Sequence, residues 1–179
     1  KRINEVLEQE NIQTFVSEDY GLEKIDLVEF KNVSFKYEGA EKALLNHVDF
    51  TAKVGEKIAI IGSTGAGKST LVNLLMRFLD TTSGELLMNG VNIKGFTEKE
   101  LREQIAFVPQ NRMLFEGTIR DNLRFGNEHA TDEEMIQALK QAEAWEFVSS
   151  LEEGLDAHVE QKGDNFSGGQ KQRLSIARA

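Results

Sequence analysis

Residues 62–69 combine glycine, lysine and serine in a pattern suited to holding phosphate groups. The stretch Gly62-Ser63-Thr64-Gly65-Ala66-Gly67-Lys68-Ser69 matches the phosphate-binding loop pattern G-x-x-x-x-G-K-[ST]. Its glycines let the backbone turn with N–H groups inward, because no Cβ obstructs a positive φ or the approach of a phosphate. Lys68 adds a mobile charge for the terminal phosphates, and Ser69 is placed to ligate Mg²⁺. The alternative interpretation is a flexible glycine turn.

The segments on either side of this loop predict a strand before it and a helix after it. Ile58-Ala59-Ile60-Ile61 has no polar alternation, which indicates a buried parallel strand. After the loop, apolar residues recur at helical spacing from Leu71 to Leu79 and leave Asn73 and Arg77 on the other side. Unpaired amides and the macrodipole at the helix start add positive potential. This order of elements favours a phosphate site over a flexible turn.

Length and charge limit the classes of protein to which the chain can belong. Its 179 residues, 40% of them hydrophobic, suit one globular domain or most of one. The net charge of −9 argues against a general affinity for nucleic acid or anionic lipid. No cysteine is present, and no metal site is predicted for the scattered histidines His47, His129 and His158. Without a signal peptide or an apolar stretch of about 18 residues, the segment is expected to be soluble.

The first part of the chain predicts an antiparallel pair of strands. Residues 27–37 alternate between apolar and polar side chains, with a break in phase at Lys31-Asn32 that predicts a β-bulge. Residues 44–52 alternate again and supply the second strand. Farther along, Leu86-Leu87-Met88 predicts a short strand that ends in a turn at Asn89-Gly90.

Two single residues at strand ends are candidates for contact with a ligand. Tyr37 ends the first strand, where its ring can stack on a base, although packing within the sheet is the commoner role. Ile105-Ala106-Phe107-Val108 predicts another buried strand, stopped by Pro109. Gln110 follows at the carboxyl end, the edge where parallel sheets place ligands, and its amide oxygen can meet a metal ion or a water. A solvated loop glutamine is the alternative.

Threonine followed three residues later by glutamate predicts a helix start at two places, Thr97 with Glu100 and Thr131 with Glu134. The second helix is expected to continue past Trp145 to Val148. Its apolar residues predict a helical subdomain in which they form core rather than a cofactor site.

A second glycine motif opens a helix near the end of the chain. Phe166-Ser167-Gly168-Gly169-Gln170 precedes a helical segment that runs to Ala179. Ser167 is a natural N-cap, and the paired glycines expose amides at a helix N-terminus, which can receive an anion. On its own, the motif would more often be an ordinary helix start.

Taken in order, Tyr37, the glycine loop, Gln110 and the second glycine motif resemble the ATP-binding cassette of ABC transporters. The resemblance covers about residues 25–179, with residues 166–170 similar to the family's signature motif. Residues 108–110 and 114–123 are most similar to the exporter branch. Residues 1–24 then resemble the linker that follows the membrane domain of an exporter half.

The resemblance implies an α/β fold: a P-loop NTPase core with a mostly parallel sheet, an N-terminal antiparallel β-subdomain and a helical subdomain at about residues 111–165. It implies that ATP and Mg²⁺ bind, with Tyr37 on the adenine, Gly62 to Thr70 on the phosphates, and Ser69 and Gln110 near the metal ion. The signature residues Ser167, Gly168, Gly169 and Gln170 would contact the ATP of a second nucleotide-binding domain.

The implied partners are that second domain, identical or different, and the membrane domains of the same transporter at the cytoplasmic face of the cell membrane. The resemblance also implies ATP hydrolysis in the intact protein, with Lys68 and Gln110 acting on the phosphates and on the water or metal. Gln161 stands where exporters commonly have glutamate, and Phe166 where the family usually has leucine. With these departures, a heterodimer with a different chain remains an alternative to a homodimer.

The family's Walker B strand, catalytic glutamate and switch histidine follow the signature helix and have no counterpart in the sequence. The chain as given is therefore expected to bind nucleotide without hydrolysing it well. Two other functions fit the same motifs. One is a soluble cassette ATPase of DNA repair or translation, against which the exporter-like residues 114–123 count. The other is a nucleotide-binding module without catalysis.

Overall fold

The computed structural model describes residues 24–179, which divide into two units between Ile105 and Ala106. The linker predicted for residues 1–24 lies outside the described residues, apart from Lys24. Among the described helices, none has the length and apolar character that a membrane span requires.

Four antiparallel strands form the sheet of the first unit. They lie in the order β2-β1-β3-β4, with β1 at Leu27–Phe35, β2 at Leu45–Lys53, β3 at Ser83–Met88 and β4 at Val91–Asn92. The register of β1 against β2 shifts between Phe30 and Val33, and Asn32 has a φ of 53°. The predicted antiparallel pair and its bulge are confirmed.

A two-residue turn connects β3 to β4. Asn89 and Gly90 have φ angles of 50° and 79°, the left-handed conformation that a type I′ turn needs at both positions. The side-chain oxygen of Asn89 also accepts hydrogen bonds from the backbone N–H groups of Asp26 and Leu27, at 2.9 and 3.0 Å. The turn thereby holds the start of β1, and the predicted strand and turn are confirmed.

Two helices pack with this sheet. They are α1 (Lys68–Leu75) and α2 (Glu98–Gln104), and a single 3₁₀ turn at Ile93–Gly95 precedes α2. Leu74 of α1 and Leu101 of α2 share one core with the apolar side of the sheet. The capping box predicted for Thr97 is present at the start of α2.

The helix after the glycine loop is shorter than its apolar pattern predicts. α1 ends at Leu75, and Arg77 has a φ of 50° just beyond it. Its side chain turns inward, is 3% exposed, and donates hydrogen bonds to Asp80 Oδ1 at 3.4 Å and the backbone oxygen of Phe96 at 3.5 Å. The prediction that Arg77 lies on the polar side is wrong, because it extended the helical periodicity beyond Leu75, where α1 ends.

Two predicted buried strands are not strands in the structure. Residues 58–61 have no ladder partner among the described residues, and Ile61 is 93% exposed. Residues 105–108 also lie outside any strand, and Phe107 and Val108 are exposed. An apolar run reports side-chain preference only, whereas a strand needs a neighbour for its N–H and C=O groups. Every ladder in residues 24–179 is antiparallel, so the mostly parallel sheet is not found there.

Helices dominate the second unit. It contains β5 (Gly117–Thr118), α3 (Ile119–Arg124), α4 (Asp132–Gln141), α5 (Trp145–Ser149), β6 (His158–Val159) and α6 (Gly168–Arg178). β5 and β6 pair antiparallel, and single 3₁₀ turns lie at Gly154–Asp156 and Gln161–Gly163. Leu139, Val148 and Leu174 bring α4, α5 and α6 into one core.

The helix predicted from Thr131 to Val148 is two helices. The capping box between Thr131 and Glu134 is present, as predicted. Beyond α4, however, Glu143 has a φ of 55°, and α5 begins only at Trp145. The prediction of one continuous helix is wrong, because the left-handed residue turns the chain and buries its alanine neighbours, Ala142 and Ala144.

Candidate functional site

The glycine loop leads directly into the N-terminus of α1. Gly67 is the N-cap residue with a φ of 89°, and Gly65 has a φ of 84°. No side chain caps this helix start and no acidic residue lies in its first turn. Backbone N–H groups and the positive end of the helix dipole are therefore available to an anion. The loop wraps at a helix start as the sequence predicts.

Gly67 lies close to the residues that begin the second strand of the β1–β2 hairpin. A Cβ atom built on Gly67 would lie 2.7 Å from Leu45 Cδ2 and 3.4 Å from Leu44 Cγ. A glycine is required at this position for two reasons, its positive φ and this close approach. The sequence motif predicts the glycine but gives no sign of its contact with Leu45, which lies at the start of β2.

Lys68 lies across the loop. Its Nζ donates hydrogen bonds to the backbone oxygens of Gly62 at 2.9 Å and Ser63 at 2.7 Å. The half-buried lysine thus holds its positive charge beside the amides of the helix start. Ser69, the predicted metal ligand, follows it and is exposed. Both residues lie where a phosphate on the loop could reach them.

Tyr37 is brought close to the same helix. Its hydroxyl oxygen lies 3.3 Å from Thr70 Oγ1, and its ring packs edge-on against Phe35 with centroids 4.7 Å apart. The Tyr37 side chain is 45% exposed, whereas Phe35 and Thr70 are buried. Part of the Tyr37 ring therefore remains accessible to a ligand. The structure brings the predicted stacking residue and the predicted phosphate loop together within the first unit.

Gln110 belongs to the second unit, and Ser69 to the first. Within its own unit, Gln110 lines a cleft of about 570 Å³ together with Gly168 of the second glycine motif. Three cationic side chains also line this cleft: Arg112, Lys162 and Lys171. None of the three was predicted from the sequence. Arg112 lies two residues after Gln110, and Lys171 lies one turn after Ser167, so their positions beside two motifs were a usable signal.

The second glycine motif forms an exposed helix start. Ser167 Oγ accepts a hydrogen bond from the Gln170 N–H at 3.3 Å, and Gln170 Oε1 accepts one from the Ser167 N–H at 2.8 Å. This reciprocal capping box confirms the predicted N-cap. Ser167, Gly168 and Gly169 are exposed, and a Cβ built on Gly169 would meet nothing within 4 Å. A neighbouring molecule can reach this surface.

A family model for the ABC transporter domain matches residues 45–179. The chain belongs to the ABC transporter family. A multidrug export ATP-binding/permease protein of Staphylococcus aureus (strain NCTC 8325 / PS 47) is 42% identical, over 91% of this ABC transporter chain and 30% of its own length. YgaD of Bacillus subtilis (strain 168), named as the same kind of protein, is 48% identical over 84% of this chain and 26% of its own length.

A solved structure of a bacterial Atm1-family ABC exporter with ATP bound has the same fold. It superimposes with a TM-score of 0.90 and 34% sequence identity, over 99% of this chain and 31% of that chain. The present ABC transporter chain spans about 30% of the length of the curated relatives just described. The P-loop nucleotide-binding fold expected from the sequence is supported by these matches.

Proposed function

We propose that this chain is the ATP-binding domain that powers an ABC exporter. The observation that carries the proposal is the glycine loop on the uncapped N-terminus of α1, with Lys68 beside it. Such a helix start favours a bound phosphate through its amides and dipole, and Lys68 adds a full positive charge. The relatives are named as export proteins, which supports the proposal that the nucleotide powers transport.

ATP would bind with its triphosphate on Gly62 to Thr70 and its adenine on the Tyr37 ring. The position of Tyr37 beside α1 supports a single nucleotide that bridges these two places. The Ser69 hydroxyl and the Gln110 amide offer oxygen ligands of the kind Mg²⁺ prefers. When bound, the ion would neutralise charge on the phosphates.

Ser167 to Gln170 would bind the γ-phosphate of an ATP held by a second nucleotide-binding domain. The exposure of this helix start and the absence of acidic residues from its first turn support that role. Two such contacts, one in each direction, would make ATP the link between two domains. Loss of the γ-phosphate removes charge-assisted hydrogen bonds worth about 1.5–3 kcal/mol each, enough to reopen such an interface.

In the full-length protein, Lys68 and Gln110 would act in hydrolysis. Lys68 stabilises negative charge on the phosphates, and Gln110 orients a water or the metal through its amide. Opening and closing of the domain pair would drive the membrane domains. That arrangement sets the domain at the cytoplasmic face of the membrane.

The proposed function also implies domain boundaries and a parallel sheet. The ATP-binding domain would span residues 25–179 with its helical subdomain at about 111–165, and residues 1–24 would link it to a membrane domain. Residues 58–61 and residues 105–108 would each form a strand with parallel neighbours in the full-length protein. Their exposed apolar side chains, which water disfavours, support this pairing.

The test is ATP turnover by the full-length protein in membrane vesicles. Lys68→Ala should abolish turnover, and Lys99→Ala should leave it unchanged, because Lys99 is an exposed lysine whose contact is an ion pair with Glu103 on α2. Turnover by Lys68→Ala at the wild-type rate would refute the proposal. Recovery of the full-length protein in the soluble fraction, with turnover intact, would favour a soluble cassette ATPase instead.

A further inference from the structure

A hydrogen bond joins the aromatic residue of the proposed site to the helix that follows the phosphate loop. The hydroxyl oxygen of Tyr37 lies 3.3 Å from Oγ1 of Thr70, and either hydroxyl can donate. Thr70 is 5% exposed, so its hydroxyl is directed by the packing around it rather than by solvent. Tyr37, by contrast, is 45% exposed, and its other side-chain contact is the edge-on packing of its ring with Phe35.

The connection that carries Tyr37 is also attached to the loop at a second point. Leu45, at the start of β2, packs against Gly67 so closely that a Cβ there would lie 2.7 Å from Leu45 Cδ2. The backbone N–H of Leu44 donates to the Phe35 oxygen at 2.8 Å and closes the connection. The backbone around Tyr37 is therefore held near α1, and the remaining freedom is that of the Tyr37 side chain.

We propose that Thr70 is a positioning residue for nucleobase binding, whose hydroxyl holds the Tyr37 ring at a set distance from the phosphate loop. This inference rests on the proposed function, since it assumes that a nucleotide bridges Tyr37 and Gly62 to Thr70. It deepens that function by naming what sets the spacing between the base site and the phosphate site. A ring held in place before the ligand arrives loses less conformational entropy when the base stacks on it.

The expected effect is small, because 3.3 Å is long for a hydrogen bond between two hydroxyls. Removal of one such bond corresponds to about a threefold loss of affinity. Thr70 ends the proposed phosphate-binding stretch, so the variant specific for the base is Tyr37→Phe, whose ring lies beside the helix and not in the loop. Inorganic tripolyphosphate, which has the phosphates without the base, is therefore the matched ligand.

The test is a double-mutant cycle in the full-length protein, with Kd measured by titration calorimetry for Mg-ATP and for tripolyphosphate. Tyr37→Phe should weaken ATP binding about threefold, Thr70→Val by at least as much, and the double variant no more than Thr70→Val alone. Tripolyphosphate affinity should stay unchanged in Tyr37→Phe. Thr70→Ser, which keeps the hydroxyl, should bind ATP like the wild type. Tyr37→Phe removes a single hydroxyl from a partly exposed ring, so it gives a result even if Thr70→Val does not fold.

Three results would overturn the inference: ATP affinity in Tyr37→Phe equal to or above that of the wild type, multiplied losses in the double variant, or an equal loss for ATP and tripolyphosphate in Tyr37→Phe. Failure of the proposed function looks different. In that case Lys68→Ala would bind ATP and tripolyphosphate as the wild type does, and Tyr37→Ala would bind ATP normally.

Discussion

Lys68 Nζ donates a hydrogen bond to the backbone oxygen of Gly62 at 2.9 Å, across the loop whose two ends these residues mark. A second hydrogen bond to the Ser63 oxygen holds the same ammonium group. Both acceptors are neutral carbonyls, which phosphate oxygens can replace with stronger, charge-assisted contacts. These two hydrogen bonds hold the cation beside the start of α1.

Lys68→Ala should weaken ATP binding by about 10-fold to 100-fold, the equivalent of one charged hydrogen bond of about 1.5–3 kcal/mol. Its effect on the melting temperature should be small, because the two hydrogen bonds of the lysine go to backbone oxygens of a surface loop. Kd from calorimetry and Tm from thermal unfolding separate the two effects. A Kd within twofold of that of the Lys99→Ala control would mean that Lys68 does not contact the phosphates.

Gly67→Ala should damage both stability and ATP binding. The alanine would adopt a φ near 89°, at a cost of about 1–2 kcal/mol, and its Cβ would push on Leu45. Gly55→Ala is the matched control, because Gly55 has a φ of 81° but nothing within 4 Å of a built Cβ. Both variants should lose stability in denaturant titration, Gly67→Ala more than Gly55→Ala. Only Gly67→Ala should lose ATP affinity, and equal affinities in the two variants would contradict the close packing.

Ser167→Ala should weaken ATP-driven association of two domains while leaving ATP binding by each one intact. The change removes a cap worth about 0.5–2 kcal/mol and also alters the surface offered to the second ATP. Thr131→Ala removes the same kind of capping box from α4 and is the control for helix stability.

Analytical ultracentrifugation with and without ATP, on a variant that binds but does not hydrolyse, measures this association. Thr131→Ala should associate like the parent protein, whereas Ser167→Ala should not. Equal loss of ATP binding by monomeric Lys68→Ala and Ser167→Ala would contradict a role for the signature residues at a partner's ATP.

Local sequence signals predicted the helix starts and the turn well because each one depends on neighbours in the chain. The N-caps Thr97, Thr131 and Ser167 were all correct, since a capping box is complete within four residues. The turn at Asn89-Gly90 was correct for the same reason: both residue types tolerate a positive φ. The glycine loop likewise encodes its own backbone conformation.

Predictions that needed distant partners were not confirmed for the parallel strands and were wrong for two helix ends. Residues 58–61 have the side chains of a buried strand, but no described strand lies beside them to accept and donate hydrogen bonds. Arg77 and Glu143 end helices in the left-handed conformation, although neither is a glycine or asparagine that would signal it. The contact of Tyr37 with Thr70 joins residues 33 positions apart and has no signature in either local stretch.

An ionic cluster in the second unit predicts how stability depends on pH. Arg120 of α3 donates hydrogen bonds to Asp132 at the start of α4 and to Asp156, with Nε 2.7 Å from Asp156 Oδ1. These hydrogen bonds lower the pKa of both aspartates below the ordinary value of about 4. A carboxyl group whose pKa is lowered in the folded state stabilises the fold at pH values above its ordinary pKa. This contribution to stability is lost as the pH decreases through the folded-state pKa.

Arg120→Gln should therefore lower Tm at pH 7, and the difference from the wild type should shrink as the pH is lowered from 5 to 2. Thermal unfolding across that range, read by circular dichroism, measures it. Arg102→Gln, which alters an exposed ion pair with Glu98 within one helix, is the control and should show a much smaller difference at pH 7. A Tm difference for Arg120→Gln that stays constant down to pH 2 would show that the two aspartates are not involved.

Hydrogen exchange of the full-length protein, followed by mass spectrometry with and without Mg-ATP, tests most directly whether the glycine loop holds the nucleotide. Peptides that contain Gly62 to Thr70 should become protected by Mg-ATP and by tripolyphosphate, but not by adenosine. Saturating ATP that leaves the exchange of this loop unchanged, while protecting another segment, would contradict the central claim that phosphate binds at the N-terminus of α1.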